Sequence, residues 1–153
     1  MKYLILLFTF FFSLNFSFSQ DIEIKDGKYY DGNKLFTGQY TEFYEDGTIK
    51  LDKTIKKGLE HGNTFIYYEN GDPKELQSFF KGKNHGKWEN YNEKGVKTAE
   101  AHYTKGEKDG EWLIWDENGV KRYEMHYEKG KKVGLWKMWN EKGELQMERE
   151  YWS

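Results

Sequence analysis

The chain has 153 residues, with 24 Lys and Arg against 26 Asp and Glu, 29 aromatics, 16 Gly, one Pro and no Cys. A formal charge of −2 gives no basic field for a phosphate backbone, which argues against nucleic acid as a partner; the lack of cysteine excludes a disulfide framework, a thiolate nucleophile and cysteine-ligated zinc. A mean hydropathy of −1.01 and 33% charged residues lie near the values of disordered chains, but such chains are poor in aromatics and this one has 19%, so it is expected to fold.

Residues 1–19 stand apart from all that follows. Lys2, the apolar run from Tyr3 to Phe12 broken only by Thr9, and the small residues Ser17 and Ser19 fit the three regions of a signal peptide, with cleavage at Ser19/Gln20. A membrane-spanning helix needs ~20 apolar residues, about twice this run. The mature chain is therefore expected in a periplasm or outside the cell, with peripheral membrane contact at most; the alternative is a leader that stays uncleaved as an anchor. Residues 20–37 carry the turn pairs Asp26-Gly27 and Asp31-Gly32 and predict an N-terminal capping hairpin.

From residue 38 the chain repeats every 24 residues. Counting from the first glycine of each copy as position 0, Gly recurs at positions 0, 9, 20 and 24, which divides the chain into 38–61, 62–85, 86–109, 110–133 and a partial copy, 134–153. Position 2 holds Tyr40, Thr64, Trp88, Trp112 and Trp136; position 5 holds Phe43, Tyr67, Tyr91, Trp115 and Trp139; position 17 holds Ile55, Phe79, Tyr103, Tyr127 and Tyr151. Positions 2 and 5 each predict a vertical aromatic stack.

Within a copy the order is strand, turn, strand, turn. Asp46-Gly47, Asn70-Gly71 and Asn118-Gly119 are hairpin signals, and Lys94-Gly95 and Lys142-Gly143 hold the same place. After each turn, residues alternate with period two, as in Tyr123, Met125 and Tyr127 against Glu124, His126 and Glu128. In the first strand, positions 2 and 5 fall on opposite sides of an ideal pleat, which a bulge or a two-faced sheet would reconcile. The expected fold is all-β: an elongated meander of antiparallel hairpins in a single-sheet solenoid, on the order of 50 Å long.

The unit Gly-x-Trp-x-x-Tyr-x-Glu-Asn/Lys-Gly, seen from Gly86 to Gly95, together with Lys81 to Gly86, closely resembles the variant MORN repeat over residues 38–153. Bacterial proteins of this kind are grouped as YwqK-like antitoxins, so the resemblance implies neutralisation of a toxin by direct binding. Combined with a leader, it implies an immunity-like binder on the envelope side.

Catalytic chemistry finds no constellation. Ser78 and Ser153 lie in no nucleophile elbow, and the glycines punctuate turns. The Glu series at position 7 (Glu45, Glu69, Glu93, Glu117, Glu141) recurs in every copy and reads as a solvated rim. The histidines pair at repeat spacing, His61 with His85 and His102 with His126, but equivalent residues two strands apart are roughly 10 Å from each other, whereas zinc ligands lie ~2.0 Å from one ion. Neither pair shares a metal within the ribbon, and no cofactor is expected.

Partner choice is expected where the repeat is broken. Phe65 and Leu113 at position 3, Phe80 at position 18 and Leu135 at position 1 are apolar where other copies are mostly polar, and Phe65 and Leu113 are expected to flank one groove. A basic rim of Lys81, Lys83, Lys105, Lys108, Lys131 and Lys132 suits an acidic partner or lipid headgroups, or else protects an edge. The expected function is non-enzymatic binding of another protein. The alternatives are self-association through the terminal strand edge, as a structural envelope element, and a glycan or lipid-headgroup binder.

Overall fold

A computed structural model describes residues 21–152, so the expected leader lies outside the described residues. Three short strands come first: β1 (Ile22–Lys25), β2 (Lys28–Asp31) and β3 (Lys34–Leu35). They form their own antiparallel sheet in the order β1-β2-β3, so the N-terminal cap is a three-stranded meander rather than one hairpin. The repeats supply β4 (Gly38–Phe43), β5 (Ile49–Lys56), β6 (Leu59–Tyr67), β7 (Pro73–Phe80), β8 (Lys83–Asn84), β9 (Gly86–Tyr91), β10 (Lys97–Thr104), β11 (Glu107–Lys108), β12 (Gly110–Trp115), β13 (Lys121–Glu128), β14 (Lys131–Trp139) and β15 (Leu145–Tyr151). They build one open antiparallel sheet in chain order, with β8 and β11 as short returns on β7 and β10. No helix occurs among the described residues.

The two turns of each repeat both close hairpins, by different geometries. The Asp/Asn-Gly turns are not two-residue turns: Phe43 pairs with Ile49, Tyr44 N–H donates to Thr48 O at 2.8 Å, and Gly47 N–H donates to Tyr44 O at 3.0 Å. Only Gly47 has positive φ, as in a type I turn closed by a left-handed glycine. The two-residue turns are the Lys-Gly pairs at positions 19 and 20. Lys57, Lys81, Lys105 and Lys129 all adopt φ between 47° and 54°, followed by a glycine of positive φ, the requirement of a type I′ turn. A lysine there costs about 1–2 kcal/mol of backbone strain. Hydrogen bonds to the preceding repeat offset it: Gly82, Gly106 and Gly130 N–H each donate at 2.8 Å to Glu60, Asn84 and Lys108 O. The side chains before position 0 join in, since Lys57 N–H donates to Thr37 Oγ1 at 2.8 Å and Lys105 N–H to His85 Nδ1 at 3.4 Å.

A bulge recurs as well. Glu42 pairs with Leu51 but Phe43 with Ile49, leaving Lys50 unpaired, and the same shift leaves Lys74, Thr98, Arg122 and Gln146 extra in their copies. Of the two ways to reconcile positions 2 and 5, the chain uses both: the sheet has two working faces, and the bulge at position 12 sits beside position 5.

The aromatics at position 2 do not stack on one another. They alternate with those at position 17 of the intervening strands, so Phe79, Trp88, Tyr103, Trp112, Tyr127, Trp136 and Tyr151 form one zigzag ladder with centroids 5.0–5.5 Å apart. Each tryptophan indole N–H reaches back across the fold: Trp88 to Ser78 O at 3.1 Å, Trp112 to His102 O at 3.0 Å and Trp136 to His126 O at 3.1 Å. Among the described residues, no ring contact joins the position 5 aromatics to one another.

Where the ladder lacks rings, at Ile55 and Thr64, the side chains are almost fully buried. Tyr29 and Phe36 of the cap region close over Ile55, and Tyr29 stands against Tyr40 at 5.2 Å, as a ring of a preceding repeat would. A side chain at Gly58 would be strained, because φ is +74° there and a Cβ would lie 3.1 Å from Tyr29 O and push Leu35 Cδ2 aside.

Two stability changes follow. Trp112→Phe keeps the ring but loses the bond to His102 O and should cost about 1 kcal/mol, while Trp112→Ala should cost about 3 kcal/mol; urea unfolding midpoints measure both. Lys105→Asn, which suits the left-handed turn better, should raise the unfolding free energy by about 0.5 kcal/mol and the urea midpoint with it.

Candidate functional site

Because the sheet is a single layer, the face opposite the aromatic ladder has nothing packed over it among the described residues. Positions 1, 3 and 5 of each first strand point to this face, as do positions 14 and 16 of each second strand. Position 3 lies opposite position 14, giving the pairs Thr41 with Asp52, Phe65 with Leu76, Glu89 with Glu100, Leu113 with Glu124 and Lys137 with Glu148. The same register therefore holds a different chemistry in each copy.

In the second copy it holds an apolar groove of about 440 Å³ lined by Phe65, Tyr67, Pro73, Leu76, Glu89 and Tyr91. The rings of Phe65 and Tyr67 lie nearly parallel, 22° apart, at 6.5 Å, and Phe65 is 38% exposed. At one end the groove meets Glu89, which is only 6% exposed and stands between Leu76 and Glu100. Two carboxylates directly opposite each other repel. Here Lys97 bonds both Glu89 and Glu100, and Lys87 Nζ bonds Glu89 Oε1 at 2.9 Å. Burial by itself would raise the Glu89 carboxyl; the hydrogen bonds from Lys97 and Lys87 overturn that and hold it down at about 2. Burial likewise opposes the charge on Lys97, and its bonds to Glu100 and Glu89 raise it. Glu100 is held below the ordinary carboxylate range, chiefly by Lys97. The groove is thus walled by aromatics and closed by a locked ion-pair cluster, an arrangement that can hold an apolar side chain without rearranging.

A family model described as MORN repeat variant matches residues 36–57, 60–81, 108–129 and 132–153. The chain belongs to the MORN repeat variant family. The stretch between the second and third matched segments folds the same way, with Trp88 and Tyr103 in the ladder and Lys105 in the left-handed turn. MORN repeats are in general scaffolds that bind proteins or lipids. A comparison with curated proteins finds no match.

The repeat-breaking residues of this MORN protein do not form one patch. Phe65 lines the groove, but Leu113 does not: Leu76, Glu89 and Glu100 separate the two along the face, so they flank the ion-pair cluster instead. Phe80 sits at the Lys-Gly edge between the rings of His61, at 5.1 Å, and His85, at 5.7 Å. Leu135 is exposed opposite Glu150, near the far end of the sheet.

The basic rim is also divided. Lys108 lies over Trp112 at 4.1 Å and Tyr127 at 4.9 Å, and Lys132 over Trp136 at 4.4 Å and Tyr151 at 5.3 Å, so both cover the ladder by cation–π contact. Lys81 and Lys105 form turns, while Lys83 and Lys131 open the strands after the Lys81 and Lys129 turns and are exposed. The position 7 glutamates are all exposed.

The sequence reading missed Glu89, Lys87 and Lys97, because a carboxylate among carboxylates carries no mark in the sequence. The available signal was Glu89 at a position where its neighbours are Phe65 and Leu113.

Acid stability tests the cluster. With a folded value of about 2 against 4.5 unfolded, ionised Glu89 stabilises the fold above pH 4.5, and that contribution is lost as the pH falls from 4.5 towards 2. Glu89→Gln should lower the urea midpoint at pH 7 and shrink its decline between pH 4.5 and 2, leaving the part due to Glu100 and Glu124.

Proposed function

We propose that this MORN-repeat protein is an exported, non-enzymatic scaffold that binds another protein across the open face of its sheet, with the Phe65 groove as the anchor point. The observation that carries this reading is the groove itself: an exposed aromatic and aliphatic concavity beside an ion-pair cluster built on the buried Glu89. Binding hot spots are of this kind, apolar anchors in pre-formed pockets ringed by polar groups that keep water out. The antitoxin or immunity-like role implied by the repeat type, and export implied by the residues of the leader, belong to the same proposal.

Affinity capture from envelope and secreted fractions, with the wild-type chain and Phe65→Ser side by side, tests it. One stoichiometric partner that disappears with Phe65→Ser supports the reading; equal recovery on both removes the groove from it. A toxic or enzymatic partner supports the immunity-like form.

Self-association is favoured by one separate observation. The outer edge of β15 pairs with no strand among the described residues, six of its seven residues are exposed, and Tyr151 ends the ladder. Sedimentation that depends on concentration, and that Met147→Pro abolishes, supports this second reading.

A further inference from the structure

On the face that carries the groove, two copies later, three potential ligands converge. Glu111, at position 1 of β12, is the direct cross-strand partner of His126 on β13. Glu124 lies two residues before His126 on the same strand and therefore on the same face, with its Oε1 4.0 Å from His126 Nε2. One ligand atom from each of the three lies within 4.8 Å of the others.

The repeat provides an internal control. One copy earlier the same framework carries His102 and Glu100, with Nε2 and Oε1 3.4 Å apart, but the cross-strand partner of His102 is Lys87. That ammonium, with Lys97, already neutralises Glu89 and Glu100. In the fourth copy Glu111 replaces the lysine and Leu113 replaces the buried glutamate. Lys121 still bonds Glu124 Oε2, at 2.9 Å, and Lys137 faces Glu124 from β14. Glu124 Oε1, both oxygens of Glu111 and the His126 ring nitrogen have no hydrogen bond among the described residues. The ammonium that stands opposite the histidine in one copy is thus a carboxylate in the next.

We propose that Glu111, Glu124 and His126 form a binding site for one divalent transition-metal ion of the zinc type. One imidazole and two carboxylates match the borderline donor set that zinc accepts, whereas magnesium and calcium take oxygen ligands alone. Donors around a tetrahedral zinc are about 3.4 Å apart, so ligand atoms that lie within 4.8 Å of one another must close by at most about 1.4 Å, a small rotation at each side chain. Three protein ligands leave the fourth position open to water or to a side chain of a bound partner. The ion would also tie β12 to β13 on the face opposite the ladder.

The test is calorimetric titration of the full, untagged chain, stripped with chelator, with zinc chloride, alongside the ring nitrogen signals of all four histidines. The expected result is one ion per chain with selective shifts at His126. His126→Ala and Glu111→Gln should each weaken binding by at least about tenfold, as even loss of an outer-shell partner of a metal ligand does. His102→Ala, at the equivalent position of the preceding copy, should leave it unchanged. Glu111 is exposed, so its amide variant preserves the fold, which far-UV circular dichroism verifies. No binding up to about 1 mM zinc, or equal losses from His102→Ala and His126→Ala, overturns the proposal.

Discussion

The ladder of alternating position 2 and position 17 rings is the contact on which the rest of the molecule depends. A single-layer sheet has no second layer against which to bury apolar area, so each strand must find its apolar neighbour on the adjacent strand. Edge-to-face and tilted ring pairs contribute about 0.5–1.5 kcal/mol each beyond the area they cover. The indole N–H bonds to Ser78, His102 and His126 fix the tilt of each tryptophan and satisfy its only polar atom. Stability is then close to a sum over neighbouring repeats. Lys108 and Lys132 belong to this economy, since their stems and ammonium groups shield ring faces that a second layer would otherwise cover.

The two edges of the sheet keep the ladder in register. Along one edge the left-handed Lys-Gly turns hang from the carbonyls of the preceding repeat, so each turn is positioned by the one before it. Along the other edge, side chains at position 6 either tie one copy to the next or brace their own turn. Tyr44 and Tyr68 donate to Tyr67 O and Tyr91 O of the following copy at 2.7 and 2.8 Å. Asn92, Asp116 and Asn140 instead accept two backbone N–H groups of their own turn. That is why Lys94-Gly95 and Lys142-Gly143 turn as readily as Asn-Gly pairs: the Asx acceptor two residues before the lysine organises the loop.

With one face given to packing, the opposite face is free to vary, and its pairs range from hydroxyl with carboxylate, through an apolar groove and an ion-pair cluster, to a histidine between carboxylates. The open face is therefore a scaffold of nearly constant geometry whose chemistry changes every two strands, roughly every 10 Å. The groove and the cluster adjoin, so the same Lys97 that neutralises Glu89 also stands over Tyr91, 6.0 Å from its centroid, and ties the groove wall to the cluster.

The glycine spacing, the period-two alternation and the absence of a 3.6-residue stripe were enough to determine an open antiparallel meander, because these are local properties of a repeating chain. The sequence also marked Phe65 and Leu113 as departures from the repeat. It could not say which aromatics touch. Positions 2 and 17 are 15 residues apart in one copy and nine apart across the boundary to the next, and only strand pairing brings them into one ladder. It could not place Glu89, whose burial depends on Lys87 and Lys97 arriving from either side of a bulge, nor join His126 to Glu111 across two strands. Those contacts are set by register, and a register is fixed only when the strands have paired.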